Sequence, residues 1–214
     1  APIAPGQGGQ AGWEHQAQQP VSGWNAGRAV LLGLLLGLLV TQLGFSLMRV
    51  DGRSMDPSLF AGELVVVLRP PVTALLASFG SGSWGQVERG AMVVLPEPHT
   101  GGVLLGMGRP LIVKRVVALP NELVAFRRGQ LYVDGVRLPE PWVSEERRGT
   151  YTMPPRPVAE GEVFVAGDNR LPLASRDSRQ FGPVPTSSLR GRLVAQLRLP
   201  WGPEGLRWPV VGLL

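Results

Sequence analysis

The chain has 214 residues, of which 44% are apolar and 17% charged, and its formal net charge is +5 at pH 7. Glycine (29) and proline (21) are abundant, and because both are costly inside helices, the composition favours a turn-rich β protein over a helical bundle. The absence of cysteine excludes a cysteine nucleophile, a disulfide framework and a cysteine-based zinc site. Two histidines, His15 and His99, leave few ways to build a Ser-His-Asp triad or a histidine-rich metal site.

One lysine stands out among the basic residues. Lys114 is the only lysine, because the other 20 of the 21 basic residues are arginine. Lysine can lose its proton inside a protein and arginine cannot, so this position is a candidate for proton transfer. Chance survival of one lysine is the competing explanation. The basic residues form no block interleaved with aromatic residues, which argues against nucleic-acid binding.

The N-terminal part of the chain divides into a tail and an apolar segment. Residues 1–27 are rich in Gly, Gln, Ala and Pro without periodicity, which predicts a disordered tail. Residues 29–48 carry no charge, and a helix of this length spans roughly 30 Å, the thickness of a bilayer core. A cleaved signal peptide or a buried core helix are the alternatives, but the stretch is long for the apolar core of a signal peptide and no small-x-small site follows it closely. The sequence therefore predicts a transmembrane anchor at residues 28–48.

Beyond the anchor, the pattern indicates one all-β domain over residues 49–214. Short Val- and Leu-rich runs bounded by Gly or Pro predict strands at 63–69, 91–95, 111–119, 122–126, 130–133, 135–138, 162–166 and 190–197. Asp134-Gly135 between two apolar runs predicts a type I′ hairpin turn. Residues 70–90 read as a loop. The C-terminal residues 199–214, with Trp201 and Trp208, either lie at a membrane interface or cover the β core.

Three segments could carry chemistry. Ser54 lies in the turn GRSMDPSL directly after the apolar segment, and taken alone an ordinary turn explains it better. Lys114 lies in the apolar run LIVKRVVALPNE, whose surroundings would lower the pKa of its ammonium group; an outward-facing lysine is the alternative. The third segment, residues 161–185, places Asp168, Arg170, Ser175 and nearby charges in a loop after a strand, and a purely structural salt-bridged loop is the competing interpretation.

Taken together and in this order, these segments resemble the type I signal peptidases, which are membrane-bound Ser-Lys endopeptidases. The resemblance rests on the anchor, GRSMDPSL, VKRVVALPNE and VFVAGDNR…SRDSRQFGPVP, and the segment RGAMVVL is similar to an intermediate β motif of that family. It covers residues 29–197 and implies an antiparallel β catalytic domain of signal-peptidase type, with the tail in the cytoplasm and residues 49–214 on the extracytoplasmic side of the cell (inner) membrane.

The resemblance also implies roles for individual residues. Ser54 is the expected nucleophile, its backbone N–H part of the oxyanion hole, and Lys114 the general base that later protonates the leaving amine. Ser175 is expected to orient the lysine amine, although four residues separate it from the preceding GDNR where shorter members have two, which leaves Ser178 as an alternative. The residues expected to hold the loop that carries Ser175 are Asp177, Arg179 and Asp168.

The implied substrate is a preprotein carrying a signal peptide with small residues at the first and third positions before the cut. The positions that match shallow pockets for those residues, with core packing nearly as good an explanation for each, are Val50, Met55, Leu59, Ile112 and Val113. Ser54 lies six residues past Met48, within roughly 20 Å of the membrane surface, which suits a bond that emerges just outside the bilayer. No metal or cofactor is expected, and the expected partners are preproteins and the lipid bilayer.

Other functions fit the same segments less well. One alternative is a self-cleaving Ser-Lys repressor. The predicted membrane anchor argues against it, and so does the absence of a DNA-binding helix pair from the sequence pattern. A specialised Ser-Lys processing protease with a narrow substrate set shares the motifs almost fully. An inactive membrane-anchored β binding module would be expected to lose its lone lysine to the arginine bias.

Overall fold

The computed structural model describes residues 23–78, 87–98, 109–198, 201–202, 205–206 and 210–213. The chain divides into two compact units, residues 1–38 and 39–214. The structure does not describe residues 1–22 of the predicted tail or residues 79–86 of the predicted loop. Half of residues 199–214, including Trp208, also lie outside the described residues.

Helix α1 (Gly23–Gly44) contains most of the apolar segment. The large apolar side chains of residues 30–38 are each more than half exposed. The helix ends at Gly44, so residues 45–48 of the segment belong to a strand instead, and the uncharged helical part, residues 29–44, is about 24 Å long, against roughly 30 Å for a bilayer core. Among the described residues, no helix combines the length and the apolar character needed to cross a bilayer.

Antiparallel strands make up most of the remaining described chain. Their bounds are β1 Phe45–Arg49, β2 Leu64–Leu68, β3 Met92–Pro96, β4 Leu111–Ala118, β5 Leu123–Arg127, β6 Gln130–Val133, β7 Val136–Arg137, β8 Met153–Pro157, β9 Glu162–Ala166, β10 Val184–Pro185, β11 Gly191–Arg198, β12 Trp201–Gly202, β13 Gly205–Leu206 and β14 Val210–Leu213. Three helices accompany them: α2 Pro70–Ser78, α3 Glu145–Arg148 and α4 Ser178–Phe181.

Within the described residues, the strands form one large sheet, one smaller sheet and a two-stranded ribbon. The large sheet has the order β1-β2-β11-β3-β4-β9-β10, with β14 also paired to β11. The smaller sheet has the order β7-β6-β5-β8, and β12 pairs with β13. The β4–β9 pairing brings the strand that carries Lys114 next to the strand that leads into residues 167–177.

Each of the eight predicted strands corresponds to an observed strand, and no end differs by more than one residue. The predicted turn at Asp134-Gly135 is also confirmed, because φ is 50° and 79° at these two residues and Val133 pairs with Val136 across the turn.

The prediction that residues 70–90 form a loop is wrong for residues 70–78, which form α2. Two prolines at its first turn and the helix-forming run TALLAS explain this helix. Strand β8 escaped prediction because its sequence, MPPRP, is proline-rich, and the structure accommodates it at the edge of the smaller sheet. Strand β1 was not predicted because its residues were assigned to the apolar segment.

Three apolar clusters support the region where these strands meet. The cluster under the turn that follows β1 contains Met55 and Leu59, which are almost fully buried, together with Val94 of β3 and Leu193 of β11. A second cluster lies between the smaller sheet and the ends of β4 and β9, and a third contains residues of β3, β4 and β9. The turn that carries Ser54 is therefore fixed from below by close-packed side chains.

Candidate active site

Ser54 lies in the connection between β1 and β2 and is half-buried. Two side chains that follow it, Met55 and Leu59, are buried in the core, and the Leu59 N–H donates to the Met55 carbonyl at 3.0 Å. From the side, Asn169 holds the turn twice: its backbone N–H donates to the Ser54 carbonyl at 3.0 Å, and its side-chain amide donates to the Arg53 carbonyl at 3.1 Å. The hydroxyl of Ser54 is thus carried on a rigid backbone.

Lys114 lies in β4, where its backbone pairs with Val93 of β3, and the residue is only 3% exposed. Its Nζ lies 2.7 Å from the Ser54 Oγ and donates to the Val113 carbonyl at 3.0 Å. The structure therefore brings together a serine and a lysine that are 60 residues apart in the sequence.

Burial governs the charge of this lysine. Desolvation is the largest effect and lowers the pKa of Lys114 from 10.5 to about 8, with Arg179 acting weakly in the same direction. The negative charges of Asp177, Glu97 and Asp168 act in the opposite direction and limit the shift. A lysine with this pKa is partly neutral near pH 7–8, and a neutral amine can accept a proton.

Asp177 is the centre of the loop that carries Ser175. Its carboxylate accepts hydrogen bonds from the Ser175 hydroxyl at 2.7 Å, from the Gly167 N–H at 2.9 Å and from the Arg179 guanidinium at 2.9 Å. It also caps α4 by accepting from the Arg179 backbone N–H. Burial alone would raise the pKa of Asp177, but the hydrogen bonds and charge of Arg179 hold that pKa below its ordinary value.

Ser175 and Ser178 have different surroundings, which bears on the choice that the sequence left open. The Ser178 hydroxyl accepts from the Val165 N–H at 3.0 Å and so supports strand β9. A Cβ added to Gly167 would overlap both the Ser175 Oγ and the Ser54 carbonyl oxygen, so Ser175 lies beside the Ser54 turn. Ser175 is therefore the serine of this loop that the structure brings to Ser54.

Asp168 is fully buried and joins the loop to β4. Its two oxygens accept from Arg115, at 2.9 Å from Nε and 2.7 Å from Nη2, in a bidentate pair. Because Arg115 directly follows Lys114, this pair fixes the loop against the strand that carries the lysine. The sequence grouped Asp168 with the loop but did not identify its partner.

The five predicted pocket residues divide between two clusters. Val50, Met55 and Leu59 belong to the cluster beneath the Ser54 turn, against which Val113 packs. Ile112 packs against the third cluster instead. Neighbouring residues of a strand point to opposite faces, which separates Ile112 from Val113. Ile112 and Val113 are each half-buried, whereas the first three are buried.

Sequence reasoning missed several residues that shape this region. Arg170 was identified as a charge of its loop, but its partner, Glu140 from the chain after β7, was not. Gly167 and Asn169 touch the Ser54 turn, and both lie in the motif VAGDNR that carried the resemblance. Glu140 had no such signal, because it stands in a loop between two prolines.

This arrangement has the parts of one kind of chemistry. A serine hydroxyl in hydrogen-bond contact with a buried, partly neutral lysine amine can attack a carbonyl carbon while the amine takes its proton. No three His, Cys, Asp or Glu side chains of the described residues are grouped so that they could hold a metal ion. The class that such a site defines is that of the serine hydrolases that use lysine as the base.

Comparison with known proteins agrees with this class. The chain matches the family described as signal peptidase, peptidase S26, over residues 23–198. It is 30% identical over 160 residues to signal peptidase I of Bacillus licheniformis, covering 71% of this chain and 75% of the relative. It is 30% identical to signal peptidase I T of Bacillus subtilis (strain 168), with 72% and 73% coverage, and 31% identical to the probable signal peptidase I-1 of Synechocystis, with 76% and 74% coverage. The chain belongs to the signal peptidase S26 family, which confirms the resemblance.

The low pKa of Lys114 predicts a pH dependence of stability. Between about pH 8 and 10.5 the unfolded chain holds a proton that the folded chain has lost, so folding becomes more favourable as pH rises through this window. We expect the free energy of unfolding of the wild type, relative to Lys114→Met, to rise by roughly 1–3 kcal/mol between pH 7 and pH 10. Urea unfolding at several pH values measures this difference, and a difference independent of pH would contradict it.

Proposed function

We propose that this protein is an endopeptidase that removes N-terminal signal peptides from exported preproteins, with Ser54 as the nucleophile and Lys114 as the general base. The observation that carries the proposal is the 2.7 Å contact between the Lys114 Nζ and the Ser54 Oγ in a buried site. Membership of the signal peptidase family supports the substrate class.

The proton path follows from the lowered pKa of Lys114. In the neutral form, the Ser54 hydroxyl donates to the lysine amine, which takes the proton as Oγ attacks the carbonyl carbon of the scissile bond. The resulting ammonium group then protonates the leaving amine of the mature chain. A water molecule then attacks the acyl-enzyme, with Lys114 again taking the proton, and this releases the signal peptide and restores the Ser54 hydroxyl. The Ser54 backbone N–H, on a turn held by Asn169, is our proposed donor to the developing oxyanion.

The second proposed element is a support for the lysine made by Ser175, Asp177, Arg179 and Asp168. Because the Ser175 hydroxyl donates to Asp177, its lone pairs can accept from the Lys114 ammonium group. Arg179 neutralises Asp177, and Arg115 neutralises Asp168, so neither carboxylate holds the proton on the lysine at full strength. These contacts support roles in orientation rather than in covalent chemistry.

The edge of β4 supports a way to bind an extended substrate. Its residues 111–114 pair with β3 on one side, while the described pairing with β9 on the other side begins only at Arg115. We propose that the segment before the cut adds to this edge as a strand, which brings its last carbonyl to Ser54. Val113, supported by the buried Val50, Met55 and Leu59, would contact the small side chains of that segment, and Ile112 would contact the segment from the opposite face of β4.

We also propose that the helical part of the predicted anchor, residues 28–44, holds the protein at the cell membrane, with the β domain on the extracytoplasmic side. The uncharged sequence of α1 after Arg28 and the exposure of its large apolar side chains support this placement. The preprotein substrate of a signal peptidase is itself inserted through its apolar signal segment, so a membrane-held enzyme meets the scissile bond where it emerges.

The catalytic pair gives the first test. We expect Ser54→Ala and Lys114→Arg to abolish cleavage of a preprotein, because arginine keeps the charge but cannot become a neutral base. In the wild type, kcat/KM should rise with pH and level off above about pH 8, where Lys114 loses its proton. Mass spectrometry of the products gives the cut position. Cleavage that survives Lys114→Arg would contradict the role of the lysine.

The close packing of Gly167 gives a second test. In Gly167→Ala the new methyl group would push apart the Ser175 Oγ and the Ser54 carbonyl, so we expect kcat to fall by about 100-fold or more. The matched control is Gly191→Ala, where the methyl group would lie 2.5 Å from the Leu68 carbonyl oxygen and 2.6 Å from a Val67 methyl. Both variants should lose thermal stability, but only Gly167→Ala should lose kcat. Equal loss of kcat in both variants would contradict a specific role of Gly167, because general destabilisation would then explain the loss.

Membrane attachment gives a third test. We expect the full chain, expressed in cells, to stay in the membrane pellet after alkaline carbonate extraction. The double variant Leu32→Asn/Leu35→Asn should move to the supernatant, because two polar amides disfavour transfer of α1 into lipid. Val136→Asn, at an exposed apolar residue of the β domain, is the control and should stay in the pellet. Release of the wild type would contradict the anchor.

A further inference from the structure

Arg170 and Glu140 form an ion pair that is withdrawn from solvent. Their side chains are 1% and 0% exposed, and the guanidinium donates to the Glu140 carboxylate from Nη2 at 2.5 Å and from Nη1 at 3.2 Å. Glu140 follows the hairpin of the smaller sheet, whereas Arg170 belongs to the loop after β9 in the large sheet. The pair therefore joins the two sheets through a buried, two-pronged contact.

The third donor nitrogen of Arg170, Nε, binds the backbone beside Ser54 and Ser175. Its Nε donates to the Gly167 carbonyl at 2.5 Å, while the N–H of Gly167 donates to Asp177 at 2.9 Å. Both backbone polar groups of Gly167 are thus held by charged side chains. The Cα of Gly167 faces the Ser54 carbonyl and the Ser175 Oγ, with no room for a methyl group between them. The position of this residue therefore sets how closely Ser54 and Ser175 approach.

Several contacts fix the guanidinium and the backbone of Arg170. The guanidinium carbon lies 5.4 Å from the centre of the Phe126 ring, on β5 of the smaller sheet. The Arg170 N–H donates to the Arg147 carbonyl at 2.7 Å, and the Arg170 carbonyl accepts from Arg179 at 3.0 Å. Arg170 is thus held on one side by the smaller sheet and on the other by the residue that pairs with Asp177.

A contribution to the stability of the fold does not by itself explain the buried Arg170–Glu140 pair. Burying two charges costs about as much as their attraction returns, and apolar residues of similar volume often replace them without loss. An apolar pair could fill the same space, but it could not donate a directed hydrogen bond to the Gly167 carbonyl. That bond is the property that a simple packing role leaves unexplained.

We infer that Glu140 and Arg170 are positioning residues of the catalytic centre: Glu140 aims the Arg170 guanidinium, and its Nε holds the Gly167 carbonyl so that Ser54 and Ser175 keep their spacing. This inference rests on the proposed function of the same site. It gives the smaller sheet, which carries none of the proposed catalytic residues among its described strands, a share in the geometry of catalysis.

The first experiment measures cleavage of a preprotein by Glu140→Gln. The amide keeps the size of the side chain but weakens its hold on Arg170, so we expect kcat to fall by about 10- to 100-fold while KM changes less than about twofold. Glu122→Gln is the matched control, because it weakens the Arg89–Glu122 pair, which does not reach Gly167. It should leave kcat unchanged. A Glu140→Gln enzyme with wild-type kcat would overturn the inference.

A second variant separates positioning from stability. Glu140→Leu/Arg170→Met removes both charges and keeps the volume filled, so we expect its melting temperature to equal or exceed that of Glu140→Gln. Its kcat should remain low, because the Gly167 carbonyl still lacks its donor. Recovery of wild-type kcat in this folded double variant would show that the pair serves packing only, and would overturn the inference.

A third measurement does not depend on substrate. Lys114 is the only lysine, so the rate at which an amine-reactive acylating reagent modifies its peptide, followed by mass spectrometry, reports its surroundings directly. We expect Glu140→Gln to change this rate severalfold and Glu122→Gln to leave it unchanged. If the wild type cleaves no preprotein, the proposed function fails, while this rate still decides the inference: an unchanged rate in Glu140→Gln overturns it.

Discussion

The transfer of one amine out of water is the constraint on which the rest of the site depends. Burial of Lys114 disfavours its ammonium form, and the proposed role as a base requires that nearby carboxylates do not restore that form. Each of the three carboxylates whose charge acts on the lysine has an arginine within ion-pair distance: Asp177 with Arg179, Glu97 with Arg176, and Asp168 with Arg115. The arginine-rich composition therefore has a local use, because guanidinium groups neutralise these acids without titrating themselves.

The neutralised acids also supply the geometry. The Asp168–Arg115 pair fixes the loop after β9 against the strand of Lys114, and Asp177 gathers the backbone of Gly167 and the hydroxyl of Ser175. Each charged group in this site thus has two effects. Its hydrogen bonds fix the positions of neighbouring residues, and its charge contributes to the electrostatic potential at Lys114. Changing one of these residues alters both at once, which makes matched controls necessary.

The sequence predicted the parts of this site that are local and left out those that are not. Ser54, Lys114 and Ser175 each stand in a recognisable segment, and short Val- and Leu-rich runs bounded by Gly or Pro predicted the main strands. Glu140 could not be predicted as a partner of Arg170, because nothing local to either residue specifies a contact across 30 positions. The end of α1 was missed for a related reason: residues 45–48 are apolar enough for a helix, but pairing with β2 makes them a strand.

The separation of Ser54 and Lys114 along the chain makes their contact dependent on the fold. Ser54 and Lys114 meet in a sheet where β2, β11, β3 and β4 lie side by side, so their contact depends on pairing between residues that are far apart in the sequence. A nascent or half-folded chain holds an ordinary serine and an ordinary charged lysine in water. The contact between the two side chains, and with it the lowered pKa of the lysine, is therefore a property of the folded sheet alone.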